Sequence, residues 1–261
     1  MQYSPSSLYT TDLVDCKKRL GQSIDKGLAF QNIQNPVELF FRADDIGVPS
    51  KEFAQLITVF RQHNCPLCLA TVPSWLTVKR LNKLRQATGA DDALWCWHQH
   101  GRTHRNYELR GKKQEFGPGR DAETVTRHLK LGRERLEMLL GNAFQPFFTP
   151  PWNRCSQSTL DALHELQFLG LSRSRGAKPV VGAGLPDFFV NVDLHTRKED
   201  DPQLCFNNLL IEIELSLASG RCGVMIHHQR MNQNALELLD MLVGLLLEKA
   251  EVKPLLFQDL V

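Results

Sequence analysis

Short apolar runs alternate with amphipathic stretches along most of the chain. Val37 to Phe41 reads as a buried strand and Phe53 to Phe60 as a helix. Pro66 to Val72 reads as a strand, Leu76 to Gln86 as a helix, and Leu94 to Trp97 as a strand. Glu123 to Leu140 is a charged helix, Phe144 to Phe148 is extended, and Ser158 to Leu166 is helical. Phe188 to Val192 and Val224 to Ile226 read as strands, with long helical patterns near 203–218 and 233–250. Repeated strand–helix alternation predicts an α/β fold built on a largely parallel sheet or barrel. No repeat or low-complexity tract interrupts it. The expected organisation is a single domain over 36–261, preceded by an N-terminal helical extension over 1–35.

Composition narrows the classes. With 42% hydrophobic and 23% charged residues, the chain is an ordinary globular one rather than a disordered or collagen-like one. The formal net charge of +2 gives no reason to expect nucleic-acid binding. The longest unbroken apolar run, Met241 to Leu247, is far shorter than the roughly 20 residues of a membrane span. It reads as a helix facing the core or a second copy in a homo-oligomer. Met1 to Leu20 lacks a positive head followed by an apolar run, and the seven cysteines are odd in number. The expectation is a cytoplasmic protein with reduced thiols. Cys65 and Cys68 have C-x-x-C spacing, but no second such pair exists and the segment reads as a buried strand.

The chemistry collects where apolar runs end. Arg42-Ala43-Asp44-Asp45-Ile46-Gly47 puts two carboxylates after a strand. Adjacent strand residues point to opposite faces, so both aspartates reach one site only if the backbone turns there. Taken alone, the pair is a solvated turn ahead of a helix cap at Ser50. Trp97-His98-Gln99-His100-Gly101-Arg102-Thr103-His104 holds three histidines within seven residues. Imidazole is a standard zinc ligand, and surface or satisfied buried histidines are the plain alternative. Thr149-Pro150-Pro151-Trp152-Asn153-Arg154 is a stiff loop whose tryptophan could wall a pocket or fill the core. Gly223-Val224-Met225-Ile226-His227-His228 ends another strand in histidine, a candidate general acid. Arg105 to Arg120 is a long polar loop, and its Arg105, Arg110, Lys112 and Lys113 either face water or greet an anionic substrate.

Together the clusters make more sense than apart. Asp45, His100 and His104 could give a divalent metal, most simply zinc, one carboxylate and two imidazoles with a corner left open. Asp44 is then free to take a proton and His227 to give one. All four clusters fall at the C-terminal ends of predicted strands, the active face of an α/β barrel.

This order of motifs, from about Val37 to Met231, resembles the polysaccharide deacetylases, and in particular a cytoplasmic, divergent branch of them. The resemblance implies an irregular (β/α) barrel and a metal-dependent hydrolase that removes an N- or O-linked acetyl group from a sugar or glycoconjugate. It implies Asp44 as base, Asp45, His100 and His104 as metal ligands, and His227 as acid. Pro151 and Trp152 match the motif that lines the acetyl pocket and offers a backbone N–H to the oxyanion; Asn153 and Arg154 complete the substrate loop. His98 has no counterpart and takes a supporting role. Asp193 is the candidate for orienting the acid, with Asp187 as fallback.

Two departures stand out. Thr149 occupies the position of an arginine that the family holds against its catalytic aspartate, and Arg154 is the candidate replacement. The doublet His227-His228 leaves the acid open between them. The alternatives are a hydrolase of a non-sugar amide or cyclic C–N bond on the same scaffold, or a non-catalytic metal- or glycan-binding descendant.

Overall fold

A computed structural model describes residues 4–11, 15–30, 35–89 and 92–261. Contacts group the chain into two compact units. One holds the residues up to Ala43, Ser50–Leu67 and Asn191–Leu256; the other holds Asp44–Pro49, Cys68–Val190 and Phe257–Val261.

In the first unit, β1 (Val37–Ile46) pairs in parallel with β7 (Arg221–Ile226), setting Phe40 beside Gly223 and Ala43 beside Ile226. Two short parallel strands, β6 (Val192–Asp193) on β7 and β8 (Val252–Pro254) on β1, extend it. Helix α2 (Lys51–Gln62) follows β1 because its sequence changes period there. Phe53, Leu56, Ile57 and Phe60 recur at helical spacing and are all buried. Each stabilises the core by about 1.5–3 kcal/mol. The predicted cap at Ser50 forms, its Oγ accepting the Phe53 N–H at 3.1 Å; losing it would cost about 1 kcal/mol. Helix α1 (Cys16–Ala29) packs on α6 (Pro202–Ala218). The leucine-rich α7 (Gln233–Leu247) buries Leu238, Leu239, Leu242, Val243 and Leu246, so that face serves its own core. Among the described residues no helix is long and apolar enough to cross a membrane.

In the second unit the strand order is β5 (Gly170–Leu171), β4 (Phe144–Thr149), β3 (Trp95–His100), β2 (Leu67–Thr71). The β3–β4 register puts His100 beside Thr149. Helices α3 (Val78–Thr88), α4 (Ala122–Leu140) and α5 (Gln157–Glu165) follow β2, β3 and β4. A core of Phe116, Val125, Leu129, Phe148, Leu163 and Phe168 joins α4, α5 and the sheet. Gly132 lets α4 approach closely: a Cβ there would lie 2.3 Å from Gln99 Nε2. The side chain of Gln99 reaches the Gly101 and Leu129 carbonyls at 3.0 and 3.2 Å, tying the strand end to the helix.

Two expectations change. Strand β1 runs five residues past Phe41, because its far end is polar yet buried: Arg42, Asp44 and Asp45 are at most 8% exposed. The strand expected over Phe188 to Val192 is displaced: the strand is Val192–Asp193, and before it only single bridges at Asp187 and Val190 form. The apolar run was a partly paired crossing segment rather than a regular strand. The seven cysteines are free, and burial pushes the Cys65 thiol up to about 12, which fits a packing role.

Candidate active site

The second unit brings Asp44, Asp45, His100 and His104 together. The turn that two adjacent aspartates require is present. Asp45 has φ +63°, a left-handed value that carries the chain out of β1. His100 ends β3. Its Nδ1 sits 2.9 Å from the Thr149 carbonyl, which only accepts, so Nδ1 carries the proton. Nε2 therefore presents its lone pair, 3.3 Å from Asp45 Oδ1. His104 Nε2 stands 3.0 Å from the same oxygen. The three donor atoms lie within 4.8 Å of one another.

This set fits a divalent metal. Ligands about 2.1 Å from a tetrahedral zinc stand about 3.4 Å apart, close to the two spacings seen. The carbonyl behind His100 is the outer partner that a ligating imidazole needs to fix its tautomer. The two imidazoles differ in their affinity for a proton. Burial pushes His100 down, but the Asp45 hydrogen bond and the charges of Asp44 and Asp45 outweigh it, and the net shift is upward. Burial and the charge of His100 push His104 down to about 4, against the two carboxylates. Without a metal His100 thus tends to share a proton with Asp45, which a binding metal would displace, while His104 stays neutral.

The loops around the site are held in uncommon conformations. Asp45, His104, Trp152 and Asn153 have φ of 63°, 54°, 58° and 59°. Such residues cost about 1–3 kcal/mol each and persist only where neighbours over-determine them. The His104 ring packs near two half-buried indoles, Trp152 at 4.6 Å and Trp75 at 5.5 Å between centroids. Behind the loop stands Glu115, fully buried, whose carboxylate accepts from the N–H groups of Arg102, Thr103 and His104 and from the Thr103 hydroxyl.

Sequence reasoning missed Trp75 and Glu115. Trp75 follows a strand end, the signal used for the other clusters, but carries no titratable group. Glu115 sits inside a polar loop, where nothing distinguishes it from the half-buried Glu108 nearby.

The remaining candidates lie as follows. Thr149 is buried, and its hydroxyl meets His98 Nε2 at 2.9 Å. His98 is buried, with its ring 5.0 Å from that of Phe257. Pro151 is buried; a Cβ on Gly101 would lie 2.6 Å from its Cγ. Arg154 Nη1 donates to the Lys113 carbonyl at 3.3 Å, and among the described residues its guanidinium forms no ion pair. Arg105, Arg110, Lys112 and Lys113 are exposed. Asp187 forms a buried ion pair with Arg173 at 2.6 Å.

His227 and Asp193 belong to the first unit. Asp193 Oδ1 accepts from the N–H groups of His195 and Thr196 at 3.1 and 2.9 Å, and its other oxygen takes the Thr196 hydroxyl. These bonds shape the turn that follows β6. His195 Nδ1 accepts the His227 backbone N–H at 3.2 Å. His195 is buried, and burial together with the charges of His227, His228 and Arg230 pushes it down to about 3. His228 is buried with its ring 5.7 Å from Phe53, whereas His227 is half-buried, so His227 is the more accessible of the doublet.

No protein-family profile matches the chain, and no curated protein matches it. Solved structures do. A candidate polysaccharide deacetylase from Mycobacterium smegmatis superposes with a TM-score of 0.65 at 15% identity, covering 87% of this chain and 90% of that one. T48 deacetylase with substrate gives 0.51 at 14% identity, over 82% and 85%. A family 4 carbohydrate esterase pseudoenzyme from Bacillus anthracis gives 0.54 at 12% identity, over 83% and 62%. At these identities the likeness shows the fold, the (β/α)-barrel type of the polysaccharide deacetylases, as the motif order implied.

Proposed function

We propose that this chain is a metal-dependent hydrolase that removes an N- or O-linked acetyl group from a sugar or glycoconjugate. The observation that carries the reading is the convergence of Asp45 Oδ1, His100 Nε2 and His104 Nε2 beside Asp44, on strand ends of a deacetylase fold. Those three residues would hold the metal, which we take to be zinc. When bound, a divalent metal lowers the pKa of a coordinated water and polarises a carbonyl.

The chain's own residues would do the rest. Asp44, 3% exposed, accepts the proton of the attacking water. Burial there strengthens every electrostatic contact it makes. Trp152 and Trp75, both packed near His104, form apolar walls against a small acyl group and keep bulk water off the reacting carbon. In the proposed mechanism the Trp152 N–H stabilises the oxyanion, and Asn153 and Arg154 contact the sugar. His227 donates the proton to the leaving group, supported through its backbone by His195, whose turn Asp193 shapes. We place the protein in the cytoplasm, in keeping with its free thiols.

Acetate release from acetylated sugars and small cyclic amides, with zinc present, tests the reading and separates sugar from non-sugar substrates. Asp44→Asn should keep one bound metal and lose about 10²–10⁴-fold in turnover. Turnover at the wild-type rate in that variant would remove Asp44 from the role of base. The second reading, a metal- or glycan-binding descendant without catalysis, is favoured by Thr149, whose hydroxyl is spent on His98 where the family places an arginine. One bound metal with no acetate released from any of these substrates would favour it.

A further inference from the structure

We propose that Glu115 is the positioning residue of the metal centre: its carboxylate fixes the loop that presents His104. This rests on the reading of Asp45, His100 and His104 as metal ligands, and concerns a residue outside that set.

Glu115 lies in the long polar loop before α4 and is 0% exposed. Oε1 accepts from the N–H of Thr103 at 2.7 Å and from its hydroxyl at 2.8 Å. Oε2 accepts from the N–H of His104 at 2.9 Å. The Arg102 N–H lies 3.2 Å from both oxygens. Three consecutive backbone donors and a hydroxyl therefore converge on one group. Every partner donates, so the group must accept only, and an ionised carboxylate is the side chain that does so at both atoms. The backbone N–H groups help to compensate its charge, and the Arg120 guanidinium donates to the Glu115 main-chain carbonyl at 3.2 Å.

What those bonds hold is His104 at φ +54°. A non-glycine residue there tends to relax to negative φ, which would swing the imidazole away from Asp45. The strand side is equally tight. Gly101 has φ +58°, and a Cβ on it would stand 2.3 Å from Glu115 Oε2. Glu115 thus packs against the chain just after His100 and binds the chain up to His104. It sets the spacing of two ligands without touching the metal.

Gln is nearly the same shape, but turns one oxygen into a donor facing donors. Zinc titration of metal-stripped protein, with hydrogen exchange of the Thr103 and His104 amides before zinc is added, tests the assignment. Glu115→Gln should bind zinc 10- to 100-fold more weakly, as loss of an outer partner of a metal ligand does, and both amides should exchange faster without metal. Thr103→Val removes only the hydroxyl bond and should weaken zinc binding severalfold. It decides the matter if Glu115→Gln does not fold. Wild-type zinc affinity and exchange in the folded variants would overturn the role of Glu115 and leave the metal site standing. A wild-type protein that takes up no zinc would overturn both.

Discussion

Replacing Gly101 by alanine loads the most crowded point of the site. The added Cβ would meet Glu115 Oε2 at 2.3 Å and Pro151 Cγ and Cδ at 2.6 and 2.8 Å, and the backbone stands at φ +58°. Left-handed backbone costs an L-residue about 1–2 kcal/mol. Overpacking against groups that cannot retreat adds about 1–3 kcal/mol. Pro151 is rigid and Glu115 is fixed by four donors, so neither gives way cheaply. The sum, about 2–5 kcal/mol, corresponds to a melting point lower by roughly 4–20 °C for a chain of this size. Gly111→Ala is the control, because φ is +80° but nothing lies within 4 Å of the new Cβ. It should cost only the backbone share. Thermal melts of the two metal-free variants measure the difference directly. Equal melting points would refute the claim that Gly101 is pinned between Glu115 and Pro151.

Two further outcomes are expected. Thr149→Val takes the hydroxyl from the buried His98 Nε2 and should destabilise by about 1–3 kcal/mol in denaturant melts. Zinc affinity should stay within about threefold, since His100 is held by the Thr149 main-chain carbonyl; a tenfold loss would contradict that division of labour. His195 lies at about 3 in the folded protein against 6.5 for the ordinary group, so the unfolded chain binds the extra proton between these values. Stability is then full above pH 6.5 and declines as pH falls toward 3, by about 2–3 kcal/mol at pH 4.5. A His195→Asn variant should lack that part of the decline; parallel curves for the two proteins would exclude it.

Much of the architecture was legible because the period of hydrophobic residues changes cleanly between strands and helices. The α2 positions 53, 56, 57 and 60 lie on one face, and β2 and β4 are short apolar runs. The four motif clusters also lay at the predicted strand ends. Legibility failed where polarity and burial part company. The end of β1 was hidden by Arg42, Asp44 and Asp45, which a hydropathy pattern reads as surface. Glu115 was hidden for the same reason, since its burial depends on donors brought to it by a loop 11 to 13 residues away. The contact between His227 and His195 is a backbone hydrogen bond across 32 residues, to which no residue type is a clue. Asp193, which the resemblance suggested, accepts hydrogen bonds from the turn that follows it, a contact that no spacing in the sequence signals.

The central claim is that Asp45, His100 and His104 grip one cation. Anomalous diffraction at the zinc edge from crystals soaked in zinc tests it most directly. The account predicts a single strong peak about 2.0–2.2 Å from Asp45 Oδ1, His100 Nε2 and His104 Nε2. Density showing those three side chains turned apart, with zinc elsewhere or absent, would contradict it.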